Sequence, residues 1–435
     1  MVGVMNRNVL KLAFPSILAN ITVPLVGIVD LAVAGRLGDA SVIGGVAIAT
    51  MLFDLLYWNL GFLRVGTGGM VAQAYGARDF KLAIRIFSQG IITALSITFL
   101  ILVCQYLYIN IAFSFIECSP QVESLAKSYF FIRIWAAPAT ICIYVFKGFF
   151  IGMQNAVSPM IVDVTVNLVN FVTCILFSLH MGFGFDGLAL STVLAQYIGL
   201  IICVLFMWRF YRRLFKYLDI NECFNFAHIK RFFVVNGNLF LRSVCFLFIY
   251  AGFTSFSAKY GDIPLAVSTI MMKLMLLYSY FIDGFAYAGE ALAGRYIGAK
   301  DSVSLHKSVK ILFYWCFWIA LVSTIVYVIA GTPLVKMMTE NSSVIEASRP
   351  FLPWLWIVPA MSCVGFIWDG IYIGATSTVA IRNSMIYAVI SFFVVYYLFK
   401  TNYGIHALFA AYMAHLFVRS LFLTIFAKKH VFAKV

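Results

Sequence analysis

Charged residues are scarce in this sequence, and it has no polar segment long enough to form a soluble domain. Only 11% of its 435 residues are Asp, Glu, Lys or Arg, whereas 63% are hydrophobic. A soluble globular domain has roughly 25% charged residues, so this composition excludes one. Apolar runs long enough to cross a hydrocarbon core of about 30 Å recur along the whole chain. The sequence therefore predicts an all-α polytopic membrane protein embedded in a lipid bilayer.

Metal-binding cysteine patterns are missing as well. The nine cysteines include no CxxC pair, so we expect neither a metal site nor a resident cofactor. Acidic residues are outnumbered, 17 against 31 basic ones, which could indicate a nucleic acid partner. The basic residues mostly lie in short loops between apolar runs, as orientation signals do. We therefore expect no nucleic acid partner, and we expect a monomer.

About twelve membrane-spanning helices are predicted from these apolar runs. The intervening segment 211–231 is basic and amphipathic, which is typical of a helix at the membrane interface. It would divide an N-lobe, 1–210, from a C-lobe, 232–435. The predicted spans are 8–35, 41–73, 83–110, 121–152, 157–178, 185–210, 232–260, 264–296, 305–330, 344–375, 379–400 and 404–428.

The loops differ in basic residues according to the side of the membrane they would occupy. Counted together with the adjoining ends of the spans, the loops on the side of both termini hold 19 Lys and Arg, and the opposite loops hold six. The positive-inside rule then places both termini in the cytoplasm, in a bacterial-type inner membrane.

An internal repeat relates the two halves of the chain. RLGDA at 36–40 matches KYGDI at 259–263, YGARD at 75–79 matches IGAKD at 297–301, and GFFIG at 148–152 matches GIYIG at 370–374. The offsets are 222 or 223 residues. Because six spans separate equivalent positions, the two six-helix lobes would be parallel repeats. Transporters commonly have this plan, although a duplicated scaffold or channel would share it.

Four stretches together resemble the multidrug and toxic compound extrusion (MATE) family, in particular its DinF-like branch. The resemblance covers essentially the whole chain and implies two six-helix lobes forming a V. It also implies a central cavity for amphipathic, often cationic compounds, and export driven by inward H⁺ or Na⁺. The stretches are FPSILANITVPLVGIVDLAVAGRLGD, LGFLRVGTGGMVAQAYGARD, YFIDGFAYAGEALAGRYIGAKD and IWDGIYIGATST.

Asp30 is the leading candidate for the coupling residue. A carboxylate within an apolar helix is costly in hydrocarbon, so it must face a cavity, a partner or a proton path. Desolvation disfavours the charged form of a carboxylate, which allows proton binding and release near neutral pH. The alternative is an interfacial aspartate, since the span ends about five residues later. The repeat places Phe253 at the equivalent position, so the acid belongs to one lobe only.

The fifth helix offers partners for Asp30. Asp163, Asn167, Asn170 and Cys174 follow one another at helical spacing and form a polar stripe. The family resemblance implies a cation site at Asp30, Asn170 and Thr192. Many relatives have a second aspartate where this sequence has Cys174. A single carboxylate suits a proton better than Na⁺, which prefers several oxygen ligands. For Asn167, a packing hydrogen bond is as plausible as a site role.

Further charged residues lie inside predicted spans of both lobes. Asp283 and Glu290 share one face of the eighth helix, and Asp369 lies in the tenth. Charges in hydrocarbon usually pair, so Arg64 or Lys273 could pair with Asp283 or Glu290. Such pairs could tie helices together or take part in transport. The seventh helix has no acid between 232 and 258, so the C-lobe Na⁺ site of NorM-like relatives is not expected.

Prolines and aromatic residues supply weaker signals. Pro15 and Pro24 each remove a backbone hydrogen bond from the first helix, so kinks there could couple protonation of Asp30 to bending. Plain structural kinks are an equal alternative. Tyr57 is among the aromatic residues that could line a cavity for flat cations, although packing is the commoner role.

Three functions compete for this sequence. A secondary active exporter that couples the outward movement of an amphipathic small molecule to H⁺ entry is favoured. A lipid-linked precursor flippase is the alternative, and it would need Arg64, Arg133, Arg242 and Lys273 to converge on a cavity for phosphates. An intramembrane enzyme is third, because we find no HExxH, GxSxG or paired-aspartate motif.

Overall fold

Helices make up all the regular structure in the computed structural model, which describes residues 2–37, 40–116, 118–223 and 225–435. Eleven helical segments, α2 to α12, are long and apolar enough to cross a membrane, and α1 precedes them with 36 residues. The twelve predicted helices are thereby confirmed. They are α1 Val2–Leu37, α2 Ser41–Gly76, α3 Phe80–Phe115, α4 Pro120–Gly152, α5 Val157–His180, α6 Gly184–Tyr217, α7 Ala227–Ala258, α8 Asp262–Gly298, α9 Ser302–Met338, α10 Ser342–Gly374, α11 Thr378–Tyr403 and α12 Ile405–Lys434.

The chain folds into two compact units. Unit N comprises Leu18–Val71 and Asp79–Phe233, and unit C comprises Met1–Ile17, Ala72–Arg78 and Val234–Val435. Two short segments from the first half of the sequence thus group with the helices of the second half. The division predicted from sequence, at 1–210, 211–231 and 232–435, stays a prediction about the lobes.

Each unit is organised around one central helix. In unit N, α4 packs against α2, α3 and α6, and in unit C, α10 packs against α8, α9 and α12. The two central helices occupy equivalent places in the sequence repeat, because six spans separate them. A helix that is apolar on all sides belongs in such a buried place.

The repeated glycines of these central helices allow close helix contacts. A Cβ atom at Gly148 would overlap the backbone carbonyl of Arg64 on α2, and one at Gly370 would overlap the carbonyl of Ala286 on α8. Small residues let helix backbones approach closely in membrane bundles. GFFIG and GIYIG therefore perform the same packing task in the two units.

Backbone turns repeat with the same spacing as the sequence. Four non-glycine residues of the described chain have positive φ, and they form two pairs 222 residues apart: Arg78 with Lys300, and Gln154 with Thr376. Each follows the end of a long helix, where a left-handed residue commonly stops the helical path. Asp79 and Asp301 come next, and their carboxylates accept hydrogen bonds from the backbone N–H groups of Leu82 (2.8 Å) and Ser304 (2.9 Å).

The segment 211–231 differs from its prediction as one amphipathic helix. It consists of a 3₁₀ turn at Arg212–Tyr217, a short helix at Ile220–Cys223 and the start of α7. The side chain of Asp219 accepts a hydrogen bond from the N–H of Glu222, and Asn225 does the same for Ala227. Such side-chain acceptors start new helices, which is why the segment breaks into pieces. The prediction of a single helix was wrong.

Candidate functional site

A buried carboxylate lies in the second half of α1, within unit N. Asp30 is only 5% exposed, and its Oδ1 atom lies 3.8 Å from the Sγ atom of Cys174 on α5. Cys174 itself is fully buried. The thiol donates this contact, because an ionised carboxylate can only accept. Two of the residues predicted to form the cation site are therefore in contact.

One turn before Cys174, α5 is joined to α6 by polar side chains. The Nδ2 atom of Asn170 donates a hydrogen bond to Oγ1 of Thr192 (3.0 Å) and lies 3.5 Å from Oγ of Ser191. Asn170 and Thr192 are both buried. Because Asn170 and Cys174 are four residues apart, they share one face of α5. The structure thus brings Asp30, Cys174, Asn170 and Thr192 into one part of unit N.

A cation, Arg133 on α4, also belongs to this site. Its charge interacts with the carboxylates of Asp30 and Asp54. Its Nη1 atom donates a hydrogen bond to the hydroxyl of the fully buried Tyr129 (3.3 Å). The guanidinium carbon lies 4.7 Å from the centre of the Phe53 ring, within the range of a cation–π interaction. Arg133 is thus a nearby positive charge for Asp30 and Asp54.

Arg133 was named from the sequence without a carboxylate partner, and Asp54 was not singled out. One signal was available, because Tyr129 and Arg133 stand at i and i+4 and so face the same neighbours. The partners could not be found from sequence, since they lie on other helices.

Tyr57, predicted to line a cavity, stacks on Phe53 with ring centres 5.5 Å apart. This contact is a packing one, and the predicted cavity role stays a prediction.

The polar stripe of α5 contacts three neighbouring helices, α1, α4 and α6. Asn167 donates a hydrogen bond to the hydroxyl of Thr22 on α1 (2.6 Å). Asp163 forms an ion pair with Lys147 of α4, with Nζ and Oδ1 2.8 Å apart. Asp163 was expected among the partners of Asp30, and that expectation was wrong. The stripe spans three helical turns, about 16 Å, so its ends meet different surroundings.

Unit C contains a second buried charge cluster, around Asp369 of α10. Its Oδ2 atom accepts a hydrogen bond from Nη1 of Arg242 on α7 (2.9 Å) and another from Nη2 of Arg419 on α12. The Nε atom of Arg419 lies 3.3 Å from the other carboxylate oxygen. Asp369 and Arg419 are buried, at 5% and 2% exposure. Arg419 was not singled out from sequence, although a base within a predicted span was a usable signal.

The other charged residues named from the sequence differ in how deeply they are buried. Glu290 is buried, Arg64 and Asp283 are partly buried, and Lys273 is exposed. The pairing of Arg64 or Lys273 with Asp283 or Glu290 stays a prediction.

The helix α1 continues without a break past both of its prolines. The helix runs from Val2 to Leu37 through Pro15 and Pro24, and Pro24 lies among residues whose side chains are outside the described part. The kinks predicted at the two prolines stay predictions.

Comparison with known proteins identifies the family. A family model, MatE, matches residues 15–176 and again residues 239–401. The chain belongs to the MatE family. The two matched segments are the two halves of the sequence repeat, and the resemblance to MATE transporters is confirmed. A MATE chain is a transporter, so this multi-pass membrane protein is not an enzyme.

Individual relatives agree with the family. The chain is 32% identical to DNA damage-inducible protein F of Escherichia coli (strain K12) over 96% of its own length and 91% of that protein. It is 26% identical to multidrug and toxin extrusion protein 1 of Mus musculus over 70% of its own length and 53% of that protein. A crystal structure of MATE in complex with MaL6 superposes with a TM-score of 0.88 at 18% identity, covering 99% of this chain and 97% of that one. This last likeness shows the MATE fold.

The candidate site lacks the ligand set of a metal centre. In the described part of the chain, no three His, Cys, Asp or Glu side chains are arranged to hold a metal ion. Around Asp30 the groups are a thiol, an amide and hydroxyls, together with the guanidinium of Arg133. This arrangement can exchange a proton at the carboxylate of Asp30, which is also the anionic ligand that it would offer to a hard cation.

Proposed function

We propose that this protein is a secondary active exporter that exchanges amphipathic, often cationic small molecules for H⁺, with Asp30 as the coupling carboxylate. The observation that carries the proposal is the burial of Asp30 against Cys174 and within reach of the charge of Arg133. The family and the name of the mouse relative, which refers to multidrug and toxin extrusion, support export.

Coupling requires that the ion bind one conformation more tightly than the other. When Asp30 is ionised, it attracts the guanidinium of Arg133, which joins α1 to α4. A proton on Asp30 cancels that attraction, so protonation changes the balance of forces between two helices. Protonation also lowers the cost of placing this group in a dry environment. The pair can thereby convert proton binding into a conformational preference.

The choice of H⁺ over Na⁺ follows from the ligands. Na⁺, like other hard cations, prefers several oxygen ligands, and a second carboxylate would favour it further. Asp30 supplies one carboxylate, Cys174 supplies a neutral thiol, and Arg133 adds a positive charge. A proton needs a single carboxylate oxygen. Na⁺ is the less suitable ion for this site.

The flippase alternative receives less support. It requires basic residues that together receive phosphate groups. Arg133 interacts with Asp30 and Asp54 in unit N, Arg242 contacts Asp369 in unit C, and Lys273 is exposed. The charges of Arg133 and Arg242 are therefore already matched, at least in part, by carboxylates. We further propose that the protein lies in a bacterial inner membrane with both termini in the cytoplasm, since the basic loops are on that side.

The experiment is efflux of a fluorescent dye from proteoliposomes under an imposed pH gradient or an imposed Na⁺ gradient. Asp30→Asn keeps the size of the side chain but fixes it in a neutral state. We expect this variant to bind dye and to lose transport driven by the pH gradient. Asp163→Asn is the matched control, because it removes an acid of unit N outside the site, and it should retain transport. Export by Asp30→Asn at the wild-type rate, or strict Na⁺ dependence at constant pH, would refute the proposal.

A further inference from the structure

The helices α7 and α11 lie side by side in unit C and contact each other near both ends. Near one end, the rings of Phe256 and Tyr396 stack with their centres 4.3 Å apart. Near the other end, the Nδ2 atom of Asn238 donates a hydrogen bond to Oγ1 of Thr378, the first residue of α11 (3.3 Å). Asn238 and Thr378 are both buried. The contact between the two helices is therefore aromatic at one end and polar at the other.

An arginine, Arg382, is held at the polar end by two amides. Its Nη1 atom donates a hydrogen bond to Oδ1 of Asn238 (3.0 Å), and its Nε and Nη2 atoms donate to Oδ1 of Asn383 (3.1 and 2.8 Å). A guanidinium has five N–H groups, so these three hydrogen bonds leave two for other acceptors. The amide oxygens fix the position of the side chain, but they carry no negative charge that would balance it.

The positive charge of Arg382 has no carboxylate in ion-pair contact among the residues that the structure describes. The sequence explains this, since α7 contains no Asp or Glu and the chain has none from 370 to 435. Asp369, the last acid of the chain, contacts Arg242 and Arg419. The charge of Arg382 is thus available to an anion from outside the polypeptide.

The surroundings of Arg382 face lipid. Val379 and Ile386 stand at i−3 and i+4 from this arginine, so they share its face of α11, and both are exposed. On α7, the exposed side chains of Val234 and Leu241 flank the turn that carries the amide partner. Large exposed apolar side chains on membrane helices mark contact with lipid. Arg382 itself is half-buried, so it lies at the border of this apolar surface.

The depth of Arg382 matches that of lipid headgroups. It comes four residues after the first residue of α11, about 6 Å along the helix axis. Successive spans alternate in direction, so the start of the eleventh helix is on the side of both termini. The basic loops assign this side to the cytoplasm, as proposed above. The cytoplasmic leaflet carries anionic phospholipids, whose phosphates lie at this level.

We propose that Arg382, fixed by Asn238 and Asn383, binds the phosphate of an anionic phospholipid whose acyl chains lie along the exposed apolar side chains of α7 and α11. A phosphate presents several oxygens to the two remaining N–H groups, a geometry that suits a guanidinium. The site faces the bilayer, so its occupant is a resident lipid that supports the contact of α7 with α11. The proposal is independent of export and of its coupling ion.

Lipid binding to the purified full chain in detergent tests the proposal. Dioctanoyl phosphatidylglycerol and dioctanoyl phosphatidylcholine are titrated separately, and bound lipid is counted by native mass spectrometry. The two lipids share their acyl chains and phosphate, and only the second carries a positive choline. We expect the wild type to bind phosphatidylglycerol about fivefold more tightly, since the attraction of one basic residue to anionic lipid is worth about that factor. Glycerol phosphate at the same concentration, which lacks acyl chains, should not displace the lipid.

Two variants remove the charge of the site in different ways. Arg382→Gln should abolish the preference for phosphatidylglycerol. Asn383→Asp keeps the arginine but places a carboxylate against its guanidinium, so it should abolish the preference as well. This second variant decides the matter if Arg382→Gln does not fold. Lys400→Gln is the matched control, because it removes one exposed positive charge from the opposite end of α11, and it should keep the preference.

Four results would overturn the proposal. They are equal binding of both lipids by the wild type, a preference that survives in folded Arg382→Gln or in Asn383→Asp, a loss in Lys400→Gln as large as in Arg382→Gln, and displacement of the lipid by glycerol phosphate. The third result would indicate a diffuse attraction to net charge. The fourth would indicate a site for free phosphate groups in place of a lipid site.

Discussion

Removing the carboxylate of Asp369 should destabilise the protein far more than removing a carboxylate near a helix end. Asp369→Ala leaves two guanidiniums, Arg242 and Arg419, close together without the acid that both contact. Breaking a buried ion pair by deleting one partner costs about 3–5 kcal/mol. A lone charge within a membrane helix costs about 3 kcal/mol. We therefore expect a loss of about 3 kcal/mol in the free energy of unfolding.

The matched control is Asp163→Ala, which breaks the ion pair with Lys147. The side chains of this pair are 20% and 18% exposed, and they lie near the ends of α5 and α4. Partly hydrated pairs contribute about 1 kcal/mol or less. The two alanine variants should therefore differ by about 2 kcal/mol, even though each removes one acid from an ion pair.

The assay is unfolding of the purified protein in mixed micelles of increasing denaturing-detergent content, followed by tryptophan fluorescence. Arg419→Met in the Asp369→Ala background should recover part of the loss, because it removes one of the two unmatched charges. Equal losses for the two alanine variants would contradict this reasoning. So would a double variant less stable than Asp369→Ala, since removing the excess charge would then have brought no gain.

Two further substitutions test the site and the packing. Cys174→Asp places a second carboxylate beside Asp30 and should make dye export respond to added Na⁺ at fixed pH, because hard cations favour several anionic oxygens. Export by the control variant, Cys174→Ser, should stay insensitive to Na⁺. If export by Cys174→Asp were also insensitive to Na⁺, the proposed ligand geometry would be contradicted. Gly370→Ala should destabilise unit C by about 1–3 kcal/mol, because its Cβ would overlap the carbonyl of Ala286. Gly237→Ala, where a Cβ meets no atom within 4 Å, should be neutral or stabilising in the same unfolding assay.

Much of the architecture followed from local properties of the sequence. Spans of apolar residues predict membrane helices because every backbone group must be satisfied within the helix when no water is present. The repeat predicted equivalent packing, and the pairs Gly148 with Gly370 and Arg78 with Lys300 confirm it in the backbone. These features depend on residues close together in sequence, or on a spacing that can be read directly.

The sequence also indicated that α1 and α5 would meet at the candidate site. Asp30 was a candidate because an acidic side chain within an apolar span is costly and commonly functional. Helical spacing placed Asn170 and Cys174 on one face of α5. The roles of these residues stay predictions. Helical spacing gives the face of a residue but not the helix that covers it. For this reason Asp163 was among the candidate partners of Asp30, whereas it pairs with Lys147.

Only the tertiary structure decided which charges meet. The charge of Arg133 on α4 interacts with that of Asp30 on α1, and Arg242 and Arg419 reach Asp369 from α7 and α12. Partners 50 or more residues apart leave no trace in local composition or period. Their choice depends on helix rotation and depth, which the packing of whole helices sets. Composition, repeat and motif thus determined what kind of protein this is, and the packing of its helices decided where its buried charges find one another.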